Sequence, residues 1–421
     1  MHKKLALTPP MGWNSWDCYG ASVNESQLRA NADYMAKNLK EYGWEYIVCD
    51  IQWSEPTANS FNYHKFAPLC MDEYSRLIPS VKRFPSSENG KGFKPIADYV
   101  HSLGLKFGIH IMRGIPRQAV HQNTPIKCEG VTARDIAQAY SVCPWNTDMY
   151  GIDYKVKGAQ EYYNSIFELY ASWGVDFIKC DDIANTEFKP NNVYSAREEI
   201  EMIRKAIDNC GRDMVLSLSP GPAPVSEHEH LAANANMWRM TGDFWDYWDR
   251  VHDMFDRCYQ WQNYVKEGAW PDCDMLPIGH LALCENEGKG RWTKLTHDEL
   301  KTLMSLWCIF RSPLMIGSEL NDMDDFTLSL LTNKELIYML KNSSGAHQKI
   351  RNEKDGKGEI IWESYGKNCT YLALFNTDDK ERKINYEADN KTIWDIWEHK
   401  DINNTGYLIV PSHGVKLLKI S

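Results

Sequence analysis

Two segments of this chain place carboxylates where acid–base chemistry could occur. The first, Phe177-Ile178-Lys179-Cys180-Asp181-Asp182, is a short apolar run that ends in acids. Side chains alternate along a strand, so Lys179 and Asp181 fall on one side of it. A lysine there keeps its neighbour ionised and can donate to a substrate hydroxyl; the plainer explanation is a structural ion pair. The second, Trp238-Arg239-Met240-Thr241-Gly242-Asp243-Phe244-Trp245-Asp246-Tyr247-Trp248, sets Asp243 between a glycine and aromatic residues. A partly apolar setting raises a carboxyl pKa and suits a proton donor. Two carboxyls on different strands, among abundant aromatics and without a metal-binding pattern, fit glycoside hydrolysis. One attacks the anomeric carbon; the other protonates the leaving oxygen and then activates water. Asp243 should then hold its proton to higher pH than Asp181, because Lys179 favours the ionised form of Asp181.

A repeated helix–glycine–strand unit must position these groups. Asn24 and Gln27 form a capping-box pattern, and Leu28, Ala32, Met35, Ala36, Leu39 and Tyr42 follow at helical spacing. Gly43 ends the helix, and Tyr46-Ile47-Val48-Cys49 leads to Asp50. The same punctuation recurs at Gly104 before Phe107–Ile109 and His110, at Gly174 before Phe177–Ile178 and Asp181, and at Gly211 before Met214–Leu216 and Ser217. Weaker repeats at Met237–Arg239, Ala269–Trp270 and Leu314–Ile316, with the opening Met11-Gly12-Trp13, bring the count towards eight. The pattern predicts an α/β protein, a (β/α)₈ TIM barrel over residues 1–335, with no G-x-G-x-x-G turn to favour an open dinucleotide fold. Beyond that, the runs 359–363, 371–376, 392–397, 407–410 and 415–420 predict a C-terminal antiparallel β-sandwich over residues 336–421. Its plain role is to brace the barrel. Barrel sites lie at the C-terminal strand ends, which nominates Trp16, Asp50, His110, Asp181, Ser217 and Arg239.

Composition narrows the classes. The 421 residues carry 47 Lys and Arg against 57 Asp and Glu, a formal charge of −10, which disfavours a nucleic-acid partner. Sixteen Trp, 22 Tyr and 13 Phe make 12% of the chain aromatic; a large core and a sugar-binding surface explain this equally well. No apolar run suits a membrane span or a signal peptide, so no membrane partner and a cytoplasmic location are expected, with a secreted form whose signal has been removed as the alternative. The 12 cysteines read mostly as small buried hydrophobes, with a disulfide or two as the alternative. His228-Glu229-His230 resembles a metal pair, but it follows a proline-rich loop and is expected to begin a helix. No metal site is expected.

Taken together, Pro10-Met11-Gly12-Trp13-Asn14-Ser15-Trp16, Tyr46–Asp50, Lys179-Cys180-Asp181, Arg239…Asp243, Pro271-Asp272-Cys273-Asp274-Met275-Leu276 and Arg311-Ser312-Pro313-Leu314 resemble, in order, glycoside hydrolase family 27. This is the α-galactosidase and α-N-acetylgalactosaminidase family of clan D. The resemblance implies a barrel followed by a β-domain and a retaining mechanism without cofactor, with Asp181 as nucleophile and Asp243 as acid/base. It also implies sugar contacts from Trp16, Asp50, Lys179, Arg239 and Asp274. Three departures bear on the sugar. Ile51 stands where the family usually has a second acid; His110 replaces a Tyr; and Ser217-Leu218-Ser219-Pro220-Gly221-Pro222 replaces a Glu-Trp pair, with Ser219 similar to the N-acetylgalactosaminidase branch. His110 and Ser219 therefore join the expected contacts. The expected partner is an oligosaccharide or glycoconjugate with a terminal galactose-like sugar, and a homo-oligomer is compatible. α-Galactoside ranks first as substrate. α-N-acetylgalactosaminide and β-L-arabinopyranoside are alternatives, the last because a missing acid suits a sugar lacking the exocyclic carbon. An inactive carbohydrate-binding barrel and a metal-dependent hydrolase are the rival classes; the first predicts loss of a catalytic carboxylate, and both are present.

Overall fold

A computed structural model describes residues 2–285, 288–388 and 391–421. Eight parallel strands share one sheet: β1 Met11–Asn14, β2 Tyr46–Cys49, β3 Lys106–Met112, β4 Phe177–Asp181, β5 Val215–Leu218, β6 Met237–Arg239, β7 Trp270–Asp272 and β8 Leu314–Ile316. Their order is β7-β6-β5-β4-β3-β2-β1-β8. The ring closes just past β7, where Leu276 bridges Ile316 in parallel and its N–H donates to Met315 O at 2.8 Å. Strand β3 runs on to Met112, two residues beyond the end expected at His110.

The barrel interior is filled by alternate residues. Tyr46, Val48, Phe177, Val215, Met237, Trp270 and Met315 pack together, while Ile47, Cys49, Ile178, Cys180, Leu216 and Trp238 join the core shared with the helices. Phe177 faces inward, so Lys179 and Asp181, two and four residues on, face the same way. Room for the interior rings comes from glycine: a Cβ on Gly12 would stand 2.6 Å from Tyr46 Cβ, and one on Gly108 2.9 Å from Phe177 Cβ.

The longer helices are α1 Glu25–Asn38, α2 Lys94–Ser102, α3 Ala159–Trp173, α4 Arg197–Asn209, α5 His228–Asn234, α6 Trp248–Trp261, α7 His297–Phe310, α8 Asp325–Leu331 and α9 Lys334–Asn342. Asn24 and Gln27 form the expected reciprocal cap on α1, with Gln27 N donating to Asn24 Oδ1 at 3.1 Å and Asn24 N to Gln27 Oε1 at 2.9 Å; such a cap is worth about 1 kcal/mol. Gly43, Gly104, Gly174 and Gly211 all have positive φ, 97°, 73°, 85° and 77°, the left-handed turn that releases the chain from helix into strand. α5 begins at His228, as expected of that segment. Its two histidines do not converge: His228 stacks on Tyr264, whereas His230 bonds Tyr194 and Glu201.

Downstream, β9 Ser344–Lys354, β10 Lys357–Tyr365, β11 Thr370–Asn376, β12 Arg382–Asn385, β13 Ile393–Asp395, β14 Lys400–Ile402, β15 Tyr407–Val410 and β16 Val415–Ile420 are antiparallel. Six form a sheet in the order β9-β10-β11-β16-β13-β14, and β12 pairs with β15. Period-two alternation again sorts the side chains. Ile361, Leu372, Leu374 and Leu418 pack with Ile384 and Val410 between the two sheets. Ile360, Trp362, Ala373, Phe375 and Leu417 turn to the barrel helices, where Phe375 meets Phe255 at 4.9 Å. All twelve cysteines are unpaired. Among the described residues no helix is long and apolar enough to cross a membrane.

Candidate active site

At the C-terminal end of the barrel a cavity of about 380 Å³ is lined by Trp16, Asp50, Lys179, Asp181, Arg239, Asp243 and Asp274, among others. β4 delivers Lys179 and Asp181, and Lys179 Nζ donates to Asp50 Oδ2 at 2.8 Å from the end of β2. Asn14 Nδ2, at the end of β1, donates to the same oxygen at 2.7 Å. Burial alone would raise Asp50, but Lys179, then His110 and the hydrogen bonds hold its carboxyl below the usual range. Asp181 is fixed at both oxygens: His110 Nε2 lies 3.1 Å from Oδ2, and Asp182 N donates to Oδ1 at 3.0 Å. Burial opposes ionisation here too. The His110 hydrogen bond and charge, with Lys179 and Arg239, outweigh it and hold Asp181 well below the carboxylate range. An ionised, oriented carboxylate is what a nucleophile requires.

Behind Asp181 lies a buried frame. Arg113 bonds the Asp182 carboxylate at 2.7 Å, Glu199 at 2.8 Å and Ser141 Oγ at 2.8 Å. Tyr163 OH donates to Glu199 at 2.6 Å. Arg113 thus anchors the residue whose N–H orients the Asp181 carboxylate. The segment after β3 thus supports the carboxylate and does not line the pocket.

Across the cavity, Arg239 at the end of β6 pairs with Asp243 Oδ1 at 3.0 Å and with Asp274 Oδ2 at 3.1 Å. Asp274 also accepts from Phe244 N at 2.8 Å. The turn carrying Asp243 is held from beyond as well: buried Asp246 accepts from Arg291 at 2.8 Å and from Lys294 N at 2.7 Å. The apolar enclosure expected around Asp243 is not observed. Its side chain is 65% exposed at the mouth, because Phe244 turns inward to meet Trp307. Water reaches the carboxyl, and a bound sugar would be what excludes it.

Seven of the nine expected residues line the cavity. His110 is buried behind it on Asp181, and Ser219 is buried with its Oγ 3.5 Å from Cys180 O; Pro220 and Gly221 line the wall instead. Sequence reasoning missed Asp17, Phe61, Tyr63, Trp145, Asn185, Glu187, Trp245 and Met275. The aromatic set is a loop feature. Trp16 stacks on Tyr63 at 5.8 Å and meets Phe61 edge-on at 5.4 Å, and Tyr63 meets Trp145 at 5.8 Å. The excess of aromatics was the available signal, without positions. Ile51 packs with Met112, Cys143 and Met149 behind Trp16, Tyr63 and Trp145. These four do not line the cavity themselves, so the position where the family usually places an acid sits in an apolar cluster behind its aromatic lining.

The family profile for melibiases, described as alpha galactosidase A, matches residues 8–154 and 151–342. The chain belongs to this α-galactosidase family, glycoside hydrolase family 27, and is a glycosidase. α-Galactosidase 2 of Arabidopsis thaliana is 28% identical over 95% of this chain and 85% of its own length. Among solved structures, a family 27 β-L-arabinopyranosidase from Geobacillus stearothermophilus is 53% identical, covers 100% of this chain and 98% of its own, and superposes with a TM-score of 0.95; a variant of it has been solved with arabinose. A Bacillus halodurans protein described as a candidate α-N-acetylgalactosaminidase is 49% identical over 98% of this chain and 97% of its own, with a TM-score of 0.87. The barrel followed by an antiparallel β-domain is the architecture of these family 27 relatives.

Proposed function

We propose that this chain is a retaining, exo-acting β-L-arabinopyranosidase. The observation that carries the glycone is Ile51. β-L-Arabinopyranose has the galactose ring with its axial hydroxyl but lacks the exocyclic hydroxymethyl group. A pocket for galactose benefits from an acid to accept from the 6-hydroxyl. Here that position belongs to an apolar cluster with Met112, Cys143 and Met149, which offers the hydroxyl no partner. The likeness to the Geobacillus arabinopyranosidase supports the same sugar, and the order of glycones drawn from the sequence changes accordingly. Ser219 lies off the cavity and gives an acetamide no support.

Asp181 attacks the anomeric carbon as the bond to the leaving oxygen breaks, while Asp243 gives that oxygen its proton. Water then enters, loses a proton to Asp243 and displaces Asp181 with a second inversion. The low-pKa setting of Asp181 and the position of Asp243 at the mouth, on Arg239, support this division of roles. Asp50, Lys179, Arg239 and Asp274 would take ring hydroxyls, Trp16 would pack on a ring face, and His110 would act through Asp181. The residues 1–335 would carry the chemistry and 336–421 would brace it. The test is turnover of nitrophenyl β-L-arabinopyranoside, α-D-galactoside and α-N-acetylgalactosaminide by wild type and Ile51→Asp. Wild type should prefer the arabinoside, and the variant should shift the ratio towards the galactoside by about tenfold or more, the worth of one charged hydrogen bond. Wild-type turnover of the galactoside alone would overturn the glycone.

A further inference from the structure

One buried carboxyl in the cavity has no task in the two-step reaction. Asp17 follows Trp16 in a short helix, Trp16–Tyr19, and is 3% exposed, yet it lines the same cavity as Asp181 and Asp243. Its Oδ2 is buried with no hydrogen-bond partner among the described residues. The neighbouring acids are matched: Asp50 by Lys179 and Asn14, Asp181 by His110, and Asp274 by Arg239 and Phe244 N. The chain also makes room for this group. Gly317, just past β8, lies so close that a Cβ there would stand 2.1 Å from Asp17 Oδ2.

Burying a polar group without a partner is costly, and such local costs tend to persist where a ligand relieves them. We propose that Asp17 is a substrate-binding residue whose carboxyl, unpartnered in the free enzyme, is completed by a hydrogen bond with one ring hydroxyl of the glycone. This rests on the reading of the cavity as the glycone site. The chemistry of the pocket leaves a place for it. Ionised acids such as Asp50 can only accept, so a sugar hydroxyl that gives them its proton still needs a donor at its lone pairs. Lys179 and Arg239 are two such donors. Burial, and then the charge of Asp274, push Asp17 well up against the pull of Lys179, which favours the protonated form, a donor.

The experiment compares wild type, Asp17→Asn and Asp17→Ala on nitrophenyl β-L-arabinopyranoside and on its 2-, 3- and 4-deoxy analogues, with thermal melts with and without L-arabinose. Asp17→Ala should lower kcat/KM about 10- to 100-fold, the loss expected when a sugar hydroxyl is left unpaired. Asp17→Asn, which keeps a neutral donor, should recover about tenfold of it. One deoxy analogue should be turned over equally by wild type and Asp17→Ala, which names the hydroxyl. The free Asp17→Ala enzyme should melt no lower than wild type, while its stabilisation by L-arabinose shrinks. A lowered melting point with the same fold loss on every analogue would mean a structural carboxyl and overturn the proposal. Wild-type kinetics in Asp17→Ala would overturn it too. Should Asp181→Ala stay active on the arabinoside, the cavity reading itself falls, separately from Asp17.

Discussion

Lys179→Met tests the electrostatics of the pocket most directly. Asp50 is 1% exposed and, among the described residues, the lysine supplies its only charged partner within hydrogen-bond reach, at 2.8 Å. Removing one member of a buried pair leaves an uncompensated charge and costs about 3–5 kcal/mol. For 421 residues the entropy of unfolding is about 0.9 kcal/mol/K, so the melting point should fall by roughly 3–6 °C. The sign of the pH dependence should also change. In the wild type Asp50 is held below its unfolded pKa of about 3.9, so its stabilisation is present above that pH and is lost as pH falls through the folded value. In the variant burial dominates, the folded pKa lies above the unfolded one, and stability falls as pH rises past about 3.9. The deficit against wild type should therefore be largest at neutral pH and shrink towards pH 4. Lys179 also helps to keep Asp181 ionised, so the acidic limb of kcat/KM should move up. Melts and rate profiles across pH 4 to 8 report both effects. A deficit equivalent to less than about 1 kcal/mol that does not vary with pH, with an unmoved acidic limb, would refute the reasoning, since that is the worth of a surface pair.

Two further substitutions probe the proposed roles. Asp243→Ala should abolish the basic limb on a substrate with a poor leaving group and lower kcat on the order of 10²–10⁴-fold, while an activated aryl arabinoside should still be cleaved and leave the glycosyl-enzyme to accumulate; retention of the full basic limb would move the acid/base elsewhere. Arg113→Met removes a cation shared by Asp182 and Glu199, both buried, and should cost about 3–5 kcal/mol of stability. Through Asp182 N it should lower kcat more than it raises KM, and kinetics at a temperature where the variant stays folded separate the two effects.

How much was legible in the sequence depended on what kind of signal each residue carries. The barrel strands were readable because parallel strands buried on both faces are apolar runs, and the glycines before them mark the release from helix. β9 escaped because it is an edge strand, paired only with β10 and half exposed, and its Gln348-Lys349-Ile350-Arg351-Asn352-Glu353-Lys354 has little apolar content. The texture change expected near residue 335 falls within α9, and the first sandwich strand starts at Ser344. Asp181, Lys179 and Arg239 were legible because strand ends point into a barrel mouth. Phe61, Tyr63, Trp145 and Trp245 were not, because loops have no period. The exposure of Asp243 is not legible because neighbours in sequence are not always neighbours in space: Phe244 points away, into the core against Trp307.

The pocket solves a charge problem whose solution sorts its acids. Asp17, Asp50, Asp181, Asp243 and Asp274 line it together with two cations, Lys179 and Arg239. Glu187 lines it too, and like Asp243 is exposed to water, but Asp17, Asp50, Asp181 and Asp274 are largely buried, and four ionised carboxylates there would outnumber the two positive charges, since each buried charge needs a partner. The cations decide which stay ionised. Lys179, between Asp50 and Asp181, helps to hold both down. Arg239 is divided between Asp243 and Asp274, so burial prevails at Asp274 and raises it. Asp272, behind Asp274, is raised to about 7 by burial and by that neighbour, and Asp17 is pushed up by burial and the same charge. Carboxyls held low therefore lie on the β2 and β4 side and raised ones on the β7 and β8 side. In the proposed reaction the attacking Asp181 belongs to the carboxyls held low, and Asp243, on Arg239 at the mouth, completes the pair that double displacement needs.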